Sequence, residues 1–153
     1  MNIIRILTAK DINAVLDLAY KAVYERGWVN TDFDKASFNF RVKSILVSAQ
    51  NKCFGMFRDQ ELVGFAVAQI DTVPWNTQLR CYIDLIHLDT LHRNPAYYQL
   101  LFDSVLGYCN DNNIKNVRTS SNCYLMNANN REEFLMNNGF LQIDTTWEKN
   151  NDS

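Results

Sequence analysis

Apolar positions change their spacing from one segment to the next, and each change marks an element. Residues 2–7 form a short run suited to a β-strand. Thr8 and Asp11 spell a capping box, T-x-x-D, and the helix it opens sets Ile12, Val15, Leu16, Ala19 and Val23 on one face before Gly27 closes it. Asp32 or Asp34 caps a second helix, with Phe38, Val42, Ile45 and Leu46 turned inward. Residues 52–58 and 61–71 read as two strands joined by a tight hairpin at Asp59-Gln60. A loop at residues 73–76 leads to a third long strand, 79–89. Pro95 suits the first turn of a helix, where its missing N–H costs nothing, and Tyr98, Leu101, Phe102, Val105, Leu106 and Cys109 then recur at helical spacing. A short strand at 115–121, a short helix at 131–138 closed by Gly139, and a last strand at 140–149 complete the pattern.

The order is β-α-α-β-β-β-α-β-α-β. A meander followed by helix crossovers predicts an α+β fold, a mixed sheet with helices on both faces. The strands at 61–71 and 79–89 are expected antiparallel. The helix after Arg93 is expected to cross to a strand parallel to the one it left. No repeat or linker interrupts residues 1–149, which read as one domain; residues 150–153 read as a frayed tail.

Composition narrows the function. The chain has 153 residues, enough for one domain with a real core, and 47% of them are hydrophobic against 21% charged. The formal net charge is −2 and no basic stripe stands out, so no nucleic-acid partner is expected. Cys53, Cys81, Cys109 and Cys123 form no CxxC pair, and reduced, buried thiols in a cytoplasmic protein are the expectation. The N-terminal run is too poor in apolar residues for a signal peptide, and no stretch is long enough to span a membrane. Asparagine is frequent and glycine scarce, in keeping with an AT-rich genome such as that of a virus or low-GC bacterium. No G-x-S-x-G elbow, P-loop, Rossmann fingerprint or HExxH occurs.

The most informative segment is 79–114. An apolar strand enters a short turn that opens directly into an amphipathic helix, and unpaired N–H groups at a helix N-terminus make an anion site. Within the strand, alternation predicts Asp84, Ile86 and Leu88 on one face, and the apolar neighbours Ile83 and Leu85 predict a raised Asp84 pKa, useful to a base. His87 is a candidate auxiliary base because imidazole titrates near neutrality. His87, Asp89 and His92 spell H-x-D-x-x-H, a spacing not specific for a metal on a strand exit, and no metal is assigned.

Three stretches resemble the GNAT acetyltransferases. ELVGFAVAQ looks like that family's third strand, with Gly64 at the usual glycine; IDLIHLDTLHR looks like its fourth strand and exit; NREEFLMNNGF looks like its last helix, ordinarily ending Y-x-x-x-G-F. The family's cofactor loop is Q/R-x-x-G-x-G/A, and the corresponding stretch here is R-N-P-A-Y-Y, residues 93–98. Arg93 and Ala96 match. Pro95 removes one N–H donor, and Tyr98 stands where the family has Gly or Ala, so its ring either turns into the core or crowds the phosphates. Leu135 occupies the place of the tyrosine that protonates the departing thiolate, and it has no proton to give.

The resemblance implies acyl-CoA-dependent N-acyl transfer, acetyl-CoA serving as cosubstrate and a small-molecule or protein amine as acceptor. It implies Asp84 as general base and a strand amide near His87–Leu88 that polarises the thioester carbonyl. It places Leu88, Arg93, Asn94, Ala96, Tyr97, Tyr98 and Asn122 on the CoA. Tyr124 is the chosen substitute for the missing acid; Cys123, Tyr97 and Tyr98 are its rivals. The resemblance also takes in phage-encoded GNAT-like proteins, some of which look like virion components. The alternative is therefore a catalytically degenerate GNAT-fold protein with an interaction or structural role, as a homodimer or in a virion.

Overall fold

The computed structural model describes residues 2–27, 29, 32–72, 75, 77–120, 128–143 and 149. Along the chain run β1 (Asn2–Ile6), α1 (Ile12–Glu25), α2 (Lys35–Val47), β2 (Asn51–Arg58), β3 (Glu61–Thr72), β4 (Leu79–Leu88), α3 (Pro95–Asp111), β5 (Asn116–Thr119) and α4 (Ala128–Asn137). Short 3-10 turns precede α1 and α3, at Ala9–Asp11 and Thr90–His92. Among the described residues the sheet order is β1-β2-β3-β4-β5, antiparallel throughout except for β4 and β5. That parallel pair needs a crossover, and α3 supplies it. The architecture is the expected α+β mixed sheet with helices.

Local chemistry explains the elements. Asp59 and Gln60 both hold positive φ, 49° and 72°, the backbone a two-residue hairpin with the right twist requires. Of the two proposed caps for α2, Asp34 takes the role, accepting from the Ala36 and Ser37 amides at 3.0 and 3.2 Å. The α2 residues Phe38, Val42, Ile45 and Leu46 pack inward as predicted. In α1, Leu18 and Ala22 are buried, whereas Leu16, expected inside, is only half-buried.

Two cores sandwich the sheet. On one face α3 sets Tyr98, Leu101, Phe102, Val105 and Cys109 against Met56, Ala66, Cys81, Ile83, Ile86 and Leu88, and Phe134 of α4 joins them. On the other, α1 sets Val15, Leu18, Ala19 and Ala22 against Cys53, Leu62 and Phe65. Each large apolar side chain so buried contributes about 1.5–3 kcal/mol.

The last predicted strand, 140–149, is corrected over its described part. Residues 140–143 form no strand, and 144–148 lie outside the described residues. Gly139, at φ +83°, ends α4, and the Phe140 amide turns back to the Leu135 carbonyl at 3.0 Å. Phe140 then packs on Phe102, while Leu141 and Ile143 face solvent.

Candidate functional site

The site is built by a β-bulge. The consecutive β3 residues Val67 and Ala68 pair with Leu85 and Ile83 of β4, so Asp84 is an extra residue without a ladder partner. The bulge shifts the alternation that the sequence pattern assumed. Ile83 and Ile86 both join the α3 core, and Leu85 packs toward the α1 core. Contrary to the prediction, Asp84 therefore does not share a face with Ile86 and Leu88. It is solvent-facing, whereas those two are fully buried. Even so, desolvation by burial pushes its carboxyl pKa up, and no partner holds it among the described residues.

The parallel pairing stops beside this bulge among the described residues. β4 and β5 are in register from Arg80↔Asn116 to Ile83↔Thr119, where the Thr119 hydroxyl donates to the Ile83 carbonyl at 3.2 Å. Beyond Ile83, β4 keeps its β3 partner as far as Leu88, but its other edge has no strand among the described residues. The Asp89 amide donates to the Val63 carbonyl at 2.9 Å. Antiparallel alternation then turns the backbone of Leu88 and Ile86 to the open edge. This is where a strand amide was expected to act.

The turn from β4 into α3 is heavily cross-linked. Asp89 accepts from the Leu91 amide at 2.9 Å and pairs with His92 at 2.8 Å. Asn94 is the N-cap of α3: its side chain accepts from the Tyr97 amide at 3.0 Å, and its carbonyl accepts from the Tyr98 amide at 3.2 Å. Pro95 has no N–H. Of the three donors expected at residues 96–98, the Ala96 amide alone is left without a hydrogen bond to Asn94.

Arg93 is held as firmly. Its Nη2 donates to the Glu25 carboxylate at 2.6 Å and to the Leu88 carbonyl at 2.9 Å. Thr90 donates to the other Glu25 oxygen at 3.4 Å. Glu25 lies 68 residues from Arg93 and no local pattern announced it. Tyr98 resolves its two options by turning into the core, where it is 1% exposed. Burial raises its pKa. Tyr97 stacks on His92 with ring centroids 6.3 Å apart, and its hydroxyl accepts from Arg58 at 3.3 Å.

His87 is also corrected. Its ring is fully buried against Phe65, and burial lowers its pKa to about 4, so it is neutral and out of contact with solvent near pH 7. Neither ring nitrogen has a partner among the described residues. Leu135 packs against the α3 core, as a leucine should. Asn122, Cys123 and Tyr124 lie outside the described residues. Cys53, Cys81 and Cys109 are free and buried. Among the described residues, no cluster of three His, Cys, Asp or Glu side chains is placed to hold a metal, and no helix is long and apolar enough to cross a membrane. A groove of about 430 Å³ between α1 and α2, lined by Leu16, Asp17, Tyr20, Lys21, Lys35 and Asn39, contains no β4 residue and is separate from this site.

No protein-family model and no curated protein matches the sequence. Solved structures match the fold over nearly its whole length. A ribosomal-protein-alanine N-acetyltransferase from Brucella melitensis biovar Abortus 2308 superposes with a TM-score of 0.74 at 13% identity, covering 98% of this chain and 99% of its own. A predicted acetyltransferase with acetyl-CoA from Clostridium acetobutylicum gives 0.76 at 14%, covering 98% and 96%. An aminoglycoside acetyltransferase from an uncultured soil metagenomic sample, in complex with sisomicin, gives 0.74 at 10%, covering 97% and 95%. The fold is that of the GNAT acetyltransferases. The stretches that carried the GNAT resemblance fall on β3, on β4 with its exit, and on α4, in the order that resemblance implied. At these identities the likeness speaks for the GNAT fold and leaves the chemistry to the residues.

Proposed function

We propose that this chain is an acyl-CoA-dependent N-acyltransferase, moving an acetyl group from acetyl-CoA to an amine. The observation that carries the reading is the Asp84 bulge. It sits where the β5 pairing stops among the described residues, next to the β4 edge bearing the Leu88 and Ile86 amides, and it places a partly desolvated carboxylate at the same point of the strand.

Bound acetyl-CoA supplies an activated carbonyl and a thiol leaving group. The residues present fit its acyl arm better than its phosphates, since the β4 edge beyond Ile83 has no strand partner among the described residues while most donors of the α3 turn are engaged. In this reading the Leu88 amide donates to the developing oxyanion. Asp84, directly or through a water, takes the proton that the attacking amine loses. Tyr124 returns a proton to the sulfur, and Asn122 binds the acyl arm. The Ala96 amide and Arg93 border the phosphates, with Asn94, Tyr97 and Tyr98 shaping that end. The solved structures named above are called after acceptors as different as ribosomal-protein alanine and aminoglycosides, so the acceptor is left as an amine.

The crowded α3 turn supports a second reading, a GNAT-fold protein that no longer transfers acyl groups and acts by interaction. One experiment separates the two. Acetyl-CoA at 100-fold its Kd stabilises a binder by about 2.7 kcal/mol, seen as a raised Tm and confirmed by calorimetry. No thermal shift and no heat at millimolar acetyl-CoA sinks the enzyme reading.

A further inference from the structure

The guanidinium of Arg93 is tied in a way that bears on any phosphate it meets. A guanidinium grips an oxyanion bidentately through one of two forks, Nη1 with Nη2 or Nε with Nη2, and both use Nη2. In this structure both Nη2 protons are spent, one on Glu25 at 2.6 Å and one on the Leu88 carbonyl at 2.9 Å. The Nε is buried without a partner among the described residues. The ion pair is partly open to solvent, with side chains 24% and 29% exposed. Thr90 holds the second Glu25 oxygen at 3.4 Å. The partner comes from the last residue of α1, whereas Arg93 lies in the turn before α3, so the contact bolts two separate elements together.

We propose that Glu25 is a lock on the phosphate end of the site. It sets the affinity for CoA by denying Arg93 a bidentate grip and by cancelling its charge. The inference rests on the N-acyltransferase reading but concerns a residue outside the proposed chemistry. Glu25 acts through Arg93, which in that reading borders the phosphates and not the acyl arm, so its effect falls on ligands that carry the diphosphate and spares those that lack it. Releasing the lock also restores a positive charge beside α3, so binding becomes more salt-dependent.

The test compares CoA with pantetheine, which lacks the phosphates, by calorimetry on the wild-type chain, Glu25→Gln and Glu25→Ala, with the Tm of each free protein measured alongside. Glu25→Gln removes the charge and keeps an acceptor; Glu25→Ala removes both. The expected result is CoA binding tightened about tenfold in Glu25→Gln and at least as much in Glu25→Ala. Pantetheine binding should not change, and the salt dependence for CoA should steepen. Folded variants that bind CoA no more tightly than wild type overturn the lock while pantetheine binding preserves the N-acyltransferase reading. If all three proteins ignore both ligands, that reading fails and the lock fails with it.

Discussion

Gly64 and Leu88 face each other across the β3–β4 ladder so closely that a Cβ on Gly64 would lie 2.5 Å from Leu88 Cδ2 and 3.0 Å from the His87 carbonyl oxygen. Leu88 is fully buried under α3 and has no open direction in which to retreat. Gly64→Ala should therefore cost about 1–3 kcal/mol in urea unfolding. It should also weaken acetyl-CoA binding, because the displaced residue carries the open-edge amide. A variant as stable as wild type would show that the β4 exit is more yielding than its packing indicates.

Asn94 should separate stability from binding. Asn94→Ala removes the α3 cap and should cost about 1 kcal/mol. It also releases the Tyr97 amide toward the phosphate end. The expected pair of outcomes is a lower unfolding midpoint and tighter CoA binding. Looser binding in the variant would mean that the Asn94 side chain itself contacts the ligand.

Asp84 has a folded-state pKa raised by burial. Between its unfolded and folded pKa values the native state holds more protons, so this group makes stability fall as pH rises through that window. Asp84→Asn should be slightly more stable than wild type at neutral pH. If the chain is an N-acyltransferase, the variant should lose about 10²–10⁴-fold in kcat and the acidic limb of its pH profile. Unchanged turnover would remove Asp84 as the base.

His87 predicts the opposite slope. Below its ordinary pKa of 6.5 the unfolded ring takes a proton that the folded ring refuses until about pH 4. Stability should fall on acidification through that window, by up to about 3 kcal/mol. His87→Phe, which keeps an aromatic ring beside Phe65, should flatten Tm against pH between 4 and 6.5. An equally steep curve in the variant would place the titration elsewhere.

Periodicity revealed most of the fold because most of the core lies on regular elements. The α3 stripe from Tyr98 to Cys109, the inner face of α2 and the Asp59-Gln60 hairpin each rest on residues within one helix or one turn of each other. The site was less legible. A bulge has no compositional mark, so plain period-two alternation puts Asp84 on the wrong face. His87 looked titratable because its burial depends on Phe65, 22 positions earlier and one strand over. The Arg93–Glu25 pair joins residues that share no local pattern, and only the folded chain brings them together.

The bulge itself is a matter of one codon. With Asp84 deleted, Ile83, Leu85, Ile86, His87 and Leu88 would still find their present faces, but as an unbroken ladder on β3. A point substitution at Asp84 takes away the carboxylate and leaves the bulge; a deletion takes away the bulge itself. A kinked and a regular version of this strand thus stand a single in-frame triplet apart, with both hydrophobic layers untouched by the step between them.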